Sequence, residues 1–178
     1  YSRDPEGLRR GEAYFGARAS YIFLTRHPLS VVDSLGRIML ERLSTQEGPH
    51  LYYPFEMAEE GWALSNETIL DFLGEIEGAR QCRLRFEDLV ASPRNEMERI
   101  LKFLGLSFCE ETLDPHRFGE MTTSPLPDAL VGDPAFLKRA RIERDLGDAW
   151  RALSHPLKAE TIALAGELGY VMPSSVAE

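Results

Sequence analysis

The chain has 178 residues, 43% of them hydrophobic and 28% charged, with 20 basic against 29 acidic side chains and a formal net charge of −9. This length favours one domain, residues 1–178, with a substantial buried core. The acidic balance argues against the broad basic face that nucleic-acid or membrane-surface binding requires, so neither partner is expected. No apolar run approaches the roughly 20 residues of a membrane span, and no signal peptide is visible. Cys82 and Cys109 have neither metal-ligand spacing nor a disulfide framework. Both are expected to behave as small hydrophobes in a reducing, cytoplasmic compartment.

Pro5 to Phe15 is predicted as a short helix, and Ala17 to Ser20 as a connector. Tyr21 to Thr25 has the β-branched and aromatic content of a buried strand. Pro28 suits the first position of a helix, which carries Leu29, Val32, Leu35 or Gly36, Met39 and Leu43 as an apolar stripe. Gln46 to Pro54 is a loop. A long helix is predicted over Phe55 to Ile76, with Trp62, Ile69, Phe72, Leu73 and Ile76 inward and Gly78 as its stop.

The second predicted strand is Cys82 to Phe86, with Cys82, Leu84 and Phe86 alternating. Ser92 and Pro93 then open a helix running to Leu104, before Gly105. Asp114 to Phe136 is long and irregular, and segments of that length are usually functional. Ile142 to Leu153 and Pro156 to Leu168 are predicted as closing helices. Strands alternating with helices imply an α/β domain with a parallel sheet and a helix-rich C-terminal half. Two strands are too few to make a covered sheet, so further strands are expected upstream. The chain starts at Tyr1 rather than methionine, and a fragment is the expectation.

Chemistry concentrates at Tyr21-Ile-Phe-Leu-Thr-Arg26-His-Pro28, followed by Ser34. Arg26 stands at the carboxyl end of a strand, where open α/β sheets bind ligands. Ser34 lies about 9 Å further along the helix at ~1.5 Å per residue, so it would offer a hydroxyl from the flank rather than the cap. Ser30 is one turn earlier on the same face. An anion there would gain charge-assisted hydrogen bonds and help from the helix dipole. Lysine occurs only at positions 102, 138 and 158. The basic set is therefore mostly arginine, the residue suited to bidentate phosphate contacts. A surface ion pair at Arg26 and a solvated Ser34 are the plainer alternatives. His27, His50, His116 and His155 are not at ligand spacings. His27, His50 and His116 each read more simply as a surface histidine than as a general base. Glu87 and Asp88 read as a turn cap or arginine partners rather than acid–base groups. Trp62 and Trp150 read as core, and Tyr52, Tyr53 and Phe55 as a packing seam, with the lining of an acyl-chain or acceptor channel as the alternative.

The block Tyr21 to Pro28 with Ser34 resembles the 3′-phosphate motif of sulfotransferases that use 3′-phosphoadenosine 5′-phosphosulfate (PAPS). Leu84-Arg-Phe86-Glu-Asp-Leu-Val90, Ser92-Pro93 and Ile100-Leu-Lys-Phe-Leu-Gly-Leu106 resemble the family's second strand and following helix, where the usual run is Arg-Tyr-Glu-Asp-Leu. Trp62 with Ser65, Asn66 and Ile69, then Val131 to Phe136, Ile142, Trp150-Arg151 and Leu168-Gly-Tyr170 continue the likeness in order. The nearest variety resembles the bacterial sulfotransferase domains of polyketide synthases, which sulfate a β-hydroxyl on a carrier-bound acyl chain.

The resemblance implies a P-loop-like parallel sheet flanked by helices. The chain would correspond to the C-terminal portion of such a domain and would lack the N-terminal strand and phosphosulfate loop. Arg26 and Ser34 would hold the 3′-phosphate, and Phe86, in the place of the usual tyrosine, would lie beside the adenosine. Gly132 to Arg141 would form the loop over the phosphate, with Lys138, Arg139 and Arg141 as its cations. The implied reaction is in-line, metal-free transfer of a sulfuryl group from PAPS to an acceptor hydroxyl, on a small molecule or a carrier protein, leaving adenosine 3′,5′-bisphosphate. No catalytic base is identified, oligomeric state is open, and the segment alone would be inactive. A P-loop-type small-molecule kinase would need Gly-Lys-Ser/Thr and a metal-binding acid, which are not seen. A non-catalytic interaction domain of the same fold is the other alternative.

Overall fold

The computed structural model describes residues 4–44, 53–114 and 144–173. Two parallel strands, β1 (Tyr21–Thr25) and β2 (Gln81–Arg85), pair in register from Tyr21 opposite Gln81 to Thr25 opposite Arg85. A parallel pair needs a crossover. Helices α2 (Pro28–Ser44) and α3 (Pro54–Gly74) provide it and pack against each other. Ahead of β1, α1 (Pro5–Phe15) starts at Asp4, whose carboxylate accepts the Gly7 N–H at 2.9 Å. After β2 come α4 (Phe86–Ala91) and α5 (Pro93–Phe103), and α6 (Ala159–Glu167) closes the order.

Alternation along the strands decides the layers. Phe23 faces α3 and joins Phe72, Leu73 and Ile76 in one buried cluster. On the opposite face Cys82 and Leu84 of β2 pack under Ile100 of α5, flanked by Leu89, Met97 and Phe103. Ile22 and Leu24 of β1 share that second face but remain 44% and 51% exposed. A third cluster, Trp62, Leu164, Ala165 and Tyr170, fastens α6 to α3. Gly169 ends α6 in the left-handed region at φ 82°, and the Tyr170 N–H reaches back to Ala165 O at 2.9 Å. This reversal turns Tyr170 under the end of the sheet.

Several boundaries differ from expectation. β2 ends at Arg85, and Phe86 opens α4 instead of finishing the strand. The Glu87-Asp88-Leu89 run is therefore helical. α3 stops at Gly74, and Gly78 begins a 3-10 turn. Ser92 precedes α5 but makes no side-chain cap hydrogen bond. Residues 144–152 form two 3-10 turns, Arg144–Gly147 and Ala149–Ala152, in place of a continuous helix. The last helix is shorter than the predicted Pro156 to Leu168. Cys82 is buried as expected, whereas Cys109 is exposed. No helix of the described residues is long and apolar enough to cross a membrane.

Candidate functional site

Arg26 and His27 are the two residues between the end of β1 and the start of α2. Their conformation is set by side chains from other elements. The Trp62 indole N–H donates to Arg26 O at 2.9 Å, and the Glu87 carboxylate accepts the His27 N–H at 2.8 Å. The Arg26 guanidinium carbon lies 4.6 Å from the centre of the Phe86 ring, within cation–π range. Thus the first turn of α4 holds the Arg26 side chain through Phe86 and the following peptide through Glu87.

His27 is no surface residue: it is 1% exposed. Its ring lies flat on Trp150, with centroids 4.0 Å apart, and edge-on to Tyr170. Nδ1 accepts the Leu29 N–H at 3.3 Å, and His27 O accepts the Val31 N–H at 3.2 Å, so the residue caps α2. Because Nδ1 accepts, the ring proton resides on Nε2, which points to Val171 O at 3.4 Å. Burial pushes the imidazole pKa down to about 4, partly opposed by the Val171 carbonyl and aided by the positive charge of Arg151. A neutral ring committed in this way serves as architecture, not as a general base.

Asp88 has the arginine-pairing role expected of it, whereas Glu87 links two other elements instead of capping its turn or pairing with an arginine. Glu87 takes the His27 N–H on Oε1 and the Tyr170 hydroxyl on Oε2 at 3.2 Å. Asp88 forms a two-point pair with Arg85, at 2.7 and 3.0 Å. Burial raises the Tyr170 phenol well above its ordinary pKa, so it remains a donor. Its oxygen also lies 2.8 Å from Thr25 Oγ1. A cleft of about 510 Å³ opens beside this cluster, bordered by His27, Glu87, Trp150, Arg151 and Tyr170.

Of the residues singled out in the sequence, Arg26 and Phe86 are brought together. Ser34 is half-buried on α2, one turn beyond Ser30. Ser30 is 4% exposed, and its buried Oγ has no hydrogen-bond partner among the described residues. Gly132, Lys138, Arg139 and Arg141 lie outside the described residues, as do His50, His116 and Tyr52. His155 is half-buried, with Nε2 3.0 Å from Asp33 Oδ1 and its ring stacked on Phe55. Trp62 is buried as expected, whereas Trp150 is only half-buried on the His27 ring; the Trp62 N–H to Arg26 has little trace in the sequence. Its only sequence signal is that a buried tryptophan N–H needs an acceptor. Among the described residues no group of His, Cys, Asp and Glu could hold a metal ion.

Residues 17–110 match the sulfotransferase family. Two solved structures are similar. One is the sulfotransferase domain from the curacin biosynthetic pathway, at 39% identity and a TM-score of 0.84, covering 97% of this chain and 61% of that one. The other is the sulfotransferase domain from the Synechococcus PCC 7002 olefin synthase, at 34% identity and a TM-score of 0.78, covering 97% of this chain and 57% of that one. The chain therefore spans about three-fifths of the length of these relatives. No curated protein matches it. With the family match extending over more than half of its residues, and with a helix-flanked parallel sheet shared with both domains, this chain belongs to the sulfotransferase family.

Proposed function

We propose that the protein to which this chain belongs transfers a sulfuryl group from PAPS to an acceptor hydroxyl, and that this chain grips the 3′-phosphate side of the nucleotide. The observation that carries the reading is the position of Arg26: at the carboxyl end of β1, beside the first turn of α2, with its guanidinium over Phe86. A dianionic phosphate at that point would take charge-assisted hydrogen bonds from Arg26 and a hydroxyl from Ser34 on the helix flank. The buried Ser30 hydroxyl adds a polar group to the same face. Phe86 offers an aromatic surface to the adenine while losing the hydroxyl of the tyrosine usual in relatives. Lys138, Arg139 and Arg141 are proposed as the cations of a loop, including Gly132, that covers the phosphate.

PAPS when bound supplies the activated sulfuryl group. The residues assigned here bind and orient the nucleotide. The acceptor proposed is a hydroxyl on an acyl chain carried by a carrier protein. The likeness to domains from the curacin pathway and an olefin synthase supports this choice.

The test compares two nucleotides on the full chain, adenosine 3′,5′-bisphosphate and adenosine 5′-monophosphate, by calorimetry. Arg26→Ala is expected to weaken the bisphosphate by about 10- to 150-fold, the worth of one hydrogen bond to a charged group, and to leave the monophosphate unchanged. Equal affinity of the parent chain for both nucleotides would overturn the assignment. Sulfation of a β-hydroxyacyl carrier protein, read by intact mass, tests the acceptor.

A further inference from the structure

The peptide joining Arg26 to His27 belongs to neither regular element. β1 has ended at Thr25, and α2 begins at Pro28, whose ring has no N–H. A buried peptide must nevertheless satisfy both of its polar groups. Here each is met by a side chain from a different helix: Trp62 of α3 donates to the carbonyl, and Glu87 of α4 accepts from the N–H. Trp62 is 4% exposed and His27 1%, so water does not compete freely at either end.

We infer that Trp62 and Glu87 are positioning residues for Arg26, holding one peptide plane from opposite ends so that the arginine is aimed before the ligand arrives. This rests on the assignment of Arg26 to the 3′-phosphate. Rotating a peptide plane changes ψ of the residue before it and φ of the residue after it. Ψ of Arg26 and φ of His27 are therefore restrained by α3 and α4, in addition to the cap that His27 makes on α2. Both groups act through this peptide. Both oxygens of Glu87 are already committed, one to this peptide and one to Tyr170. The neighbouring Phe86 restrains the guanidinium at the far end of the same residue. Arg26 is thus constrained at its main chain and at its tip, which lowers the ordering cost of engaging an anion.

The experiment uses the full chain with Arg26→Ala, Trp62→Phe, Glu87→Ala and Glu87→Gln. It reads the ratio of affinities for adenosine 3′,5′-bisphosphate over adenosine 5′-monophosphate. Trp62→Phe and Glu87→Ala are expected to lower that ratio roughly tenfold, because a misaimed arginine loses directional contacts, with monophosphate affinity unchanged. Glu87→Gln keeps the shape and an acceptor oxygen, so it should recover most of the ratio and also guards against failure to fold. Since either loss frees the same plane, the double variant should fall by less than the product of the single effects. Equal weakening of both nucleotides, or an unchanged ratio, would overturn the positioning role while Arg26→Ala still abolished the preference. Should Arg26→Ala itself leave the ratio intact, the phosphate assignment fails, and the positioning role fails with it.

Discussion

The imidazole of His27 lies 6° from parallel on the indole of Trp150, with centroids 4.0 Å apart. The stack joins the strand–helix junction to a 3-10 turn far along the chain and places a titratable ring in the interior. Around it stand Glu87, Tyr170 and Arg151, of which Arg151 disfavours a second positive charge. The folded-state pKa is about 4 against an ordinary 6.5. A depressed histidine pKa means the unfolded chain binds the proton first. Stability from this residue is therefore fully present above pH 6.5 and declines as pH falls toward 4. The full difference amounts to about 3 kcal/mol as an upper bound. Urea denaturation at pH 7.5 and pH 5 should show the loss, and His27→Gln should flatten that pH slope even though it lowers stability at neutral pH. An equally steep slope in the variant would assign the effect to other groups.

A second prediction concerns the α2–α3 contact. A Cβ at Gly36 would meet ring atoms of Phe55 at 2.3, 2.6 and 2.9 Å, including the atom next to the Phe55 Cβ. Gly36→Ala gains helix propensity of about 1 kcal/mol but forces the ring to move, and overpacking of this kind costs about 1–3 kcal/mol. Phe55 also carries the His155 stack, so the strain reaches the contact with Asp33. The variant is expected to have a lower Tm than the parent. Adding Phe55→Leu should recover part of the loss. A higher Tm for Gly36→Ala alone would show that the ring yields without cost.

The stripe written into α2 was ambiguous at Leu35 and Gly36, and only the approach of Phe55 explains why the glycine sits at the buried contact. The strand at residues 21–25, Pro28 as a helix start and Gly105 as a helix stop were legible because each depends on local chemistry. Phe86 falls outside the strand because the alternation continues one residue past its end. A residue can point inward from a helix start as well as from a strand end, and periodicity over five residues does not distinguish them. The apolar spacing at residues 142–153 suggested a helix, but Trp150 is recruited by His27, and short 3-10 turns serve that contact. At the candidate site, Arg26 could be read from its place after a strand. The Trp62 and Glu87 hydrogen bonds to its peptide could not, since they join residues 36 and 60 positions apart.

Arg80 offers a third test. Its guanidinium spans Ala19 O at 2.8 Å, Gly16 O at 2.6 Å and both carboxylate oxygens of Glu12 at 2.7 and 2.8 Å. Glu12 also accepts the Tyr21 hydroxyl, and these hydrogen bonds, Arg80 first, hold its pKa down to about 2. A depressed carboxylate contributes stability above its ordinary 4.5 and loses it as pH falls toward 2. Lysine cannot present this planar set of donors, so Arg80→Lys should loosen α1 from the 3-10 turn ahead of β2. Limited proteolysis should then cut within residues 5–18 faster than in the parent. Glu12→Gln should remove the acid sensitivity between pH 4.5 and 2. Unchanged cleavage in Arg80→Lys would mean that Leu8 packing and the Arg9–Glu75 ion pair secure the helix without it.

The hydroxyl of Tyr170 closes the polar cluster under the sheet. It lies 2.8 Å from Thr25 Oγ1 and donates to Glu87 Oε2 at 3.2 Å. Thr25 is 7% exposed, so Tyr170→Phe removes the hydrogen-bond partner of a buried hydroxyl, at a cost of about 1–3 kcal/mol. The ring remains, and with it the packing on Trp62, Leu164 and Ala165. Amide exchange is therefore expected to quicken at Tyr170 and Val171 and to stay slow in α3. Thr25→Val in the same background removes the stranded hydroxyl and should restore part of the loss. If the Tyr170→Phe chain were as stable as the parent, the hydroxyl would be exchanging protein for water with little difference. The C-terminal segment would then be held by its aromatic ring and by the Arg85 contact to Gly169 O at 3.0 Å.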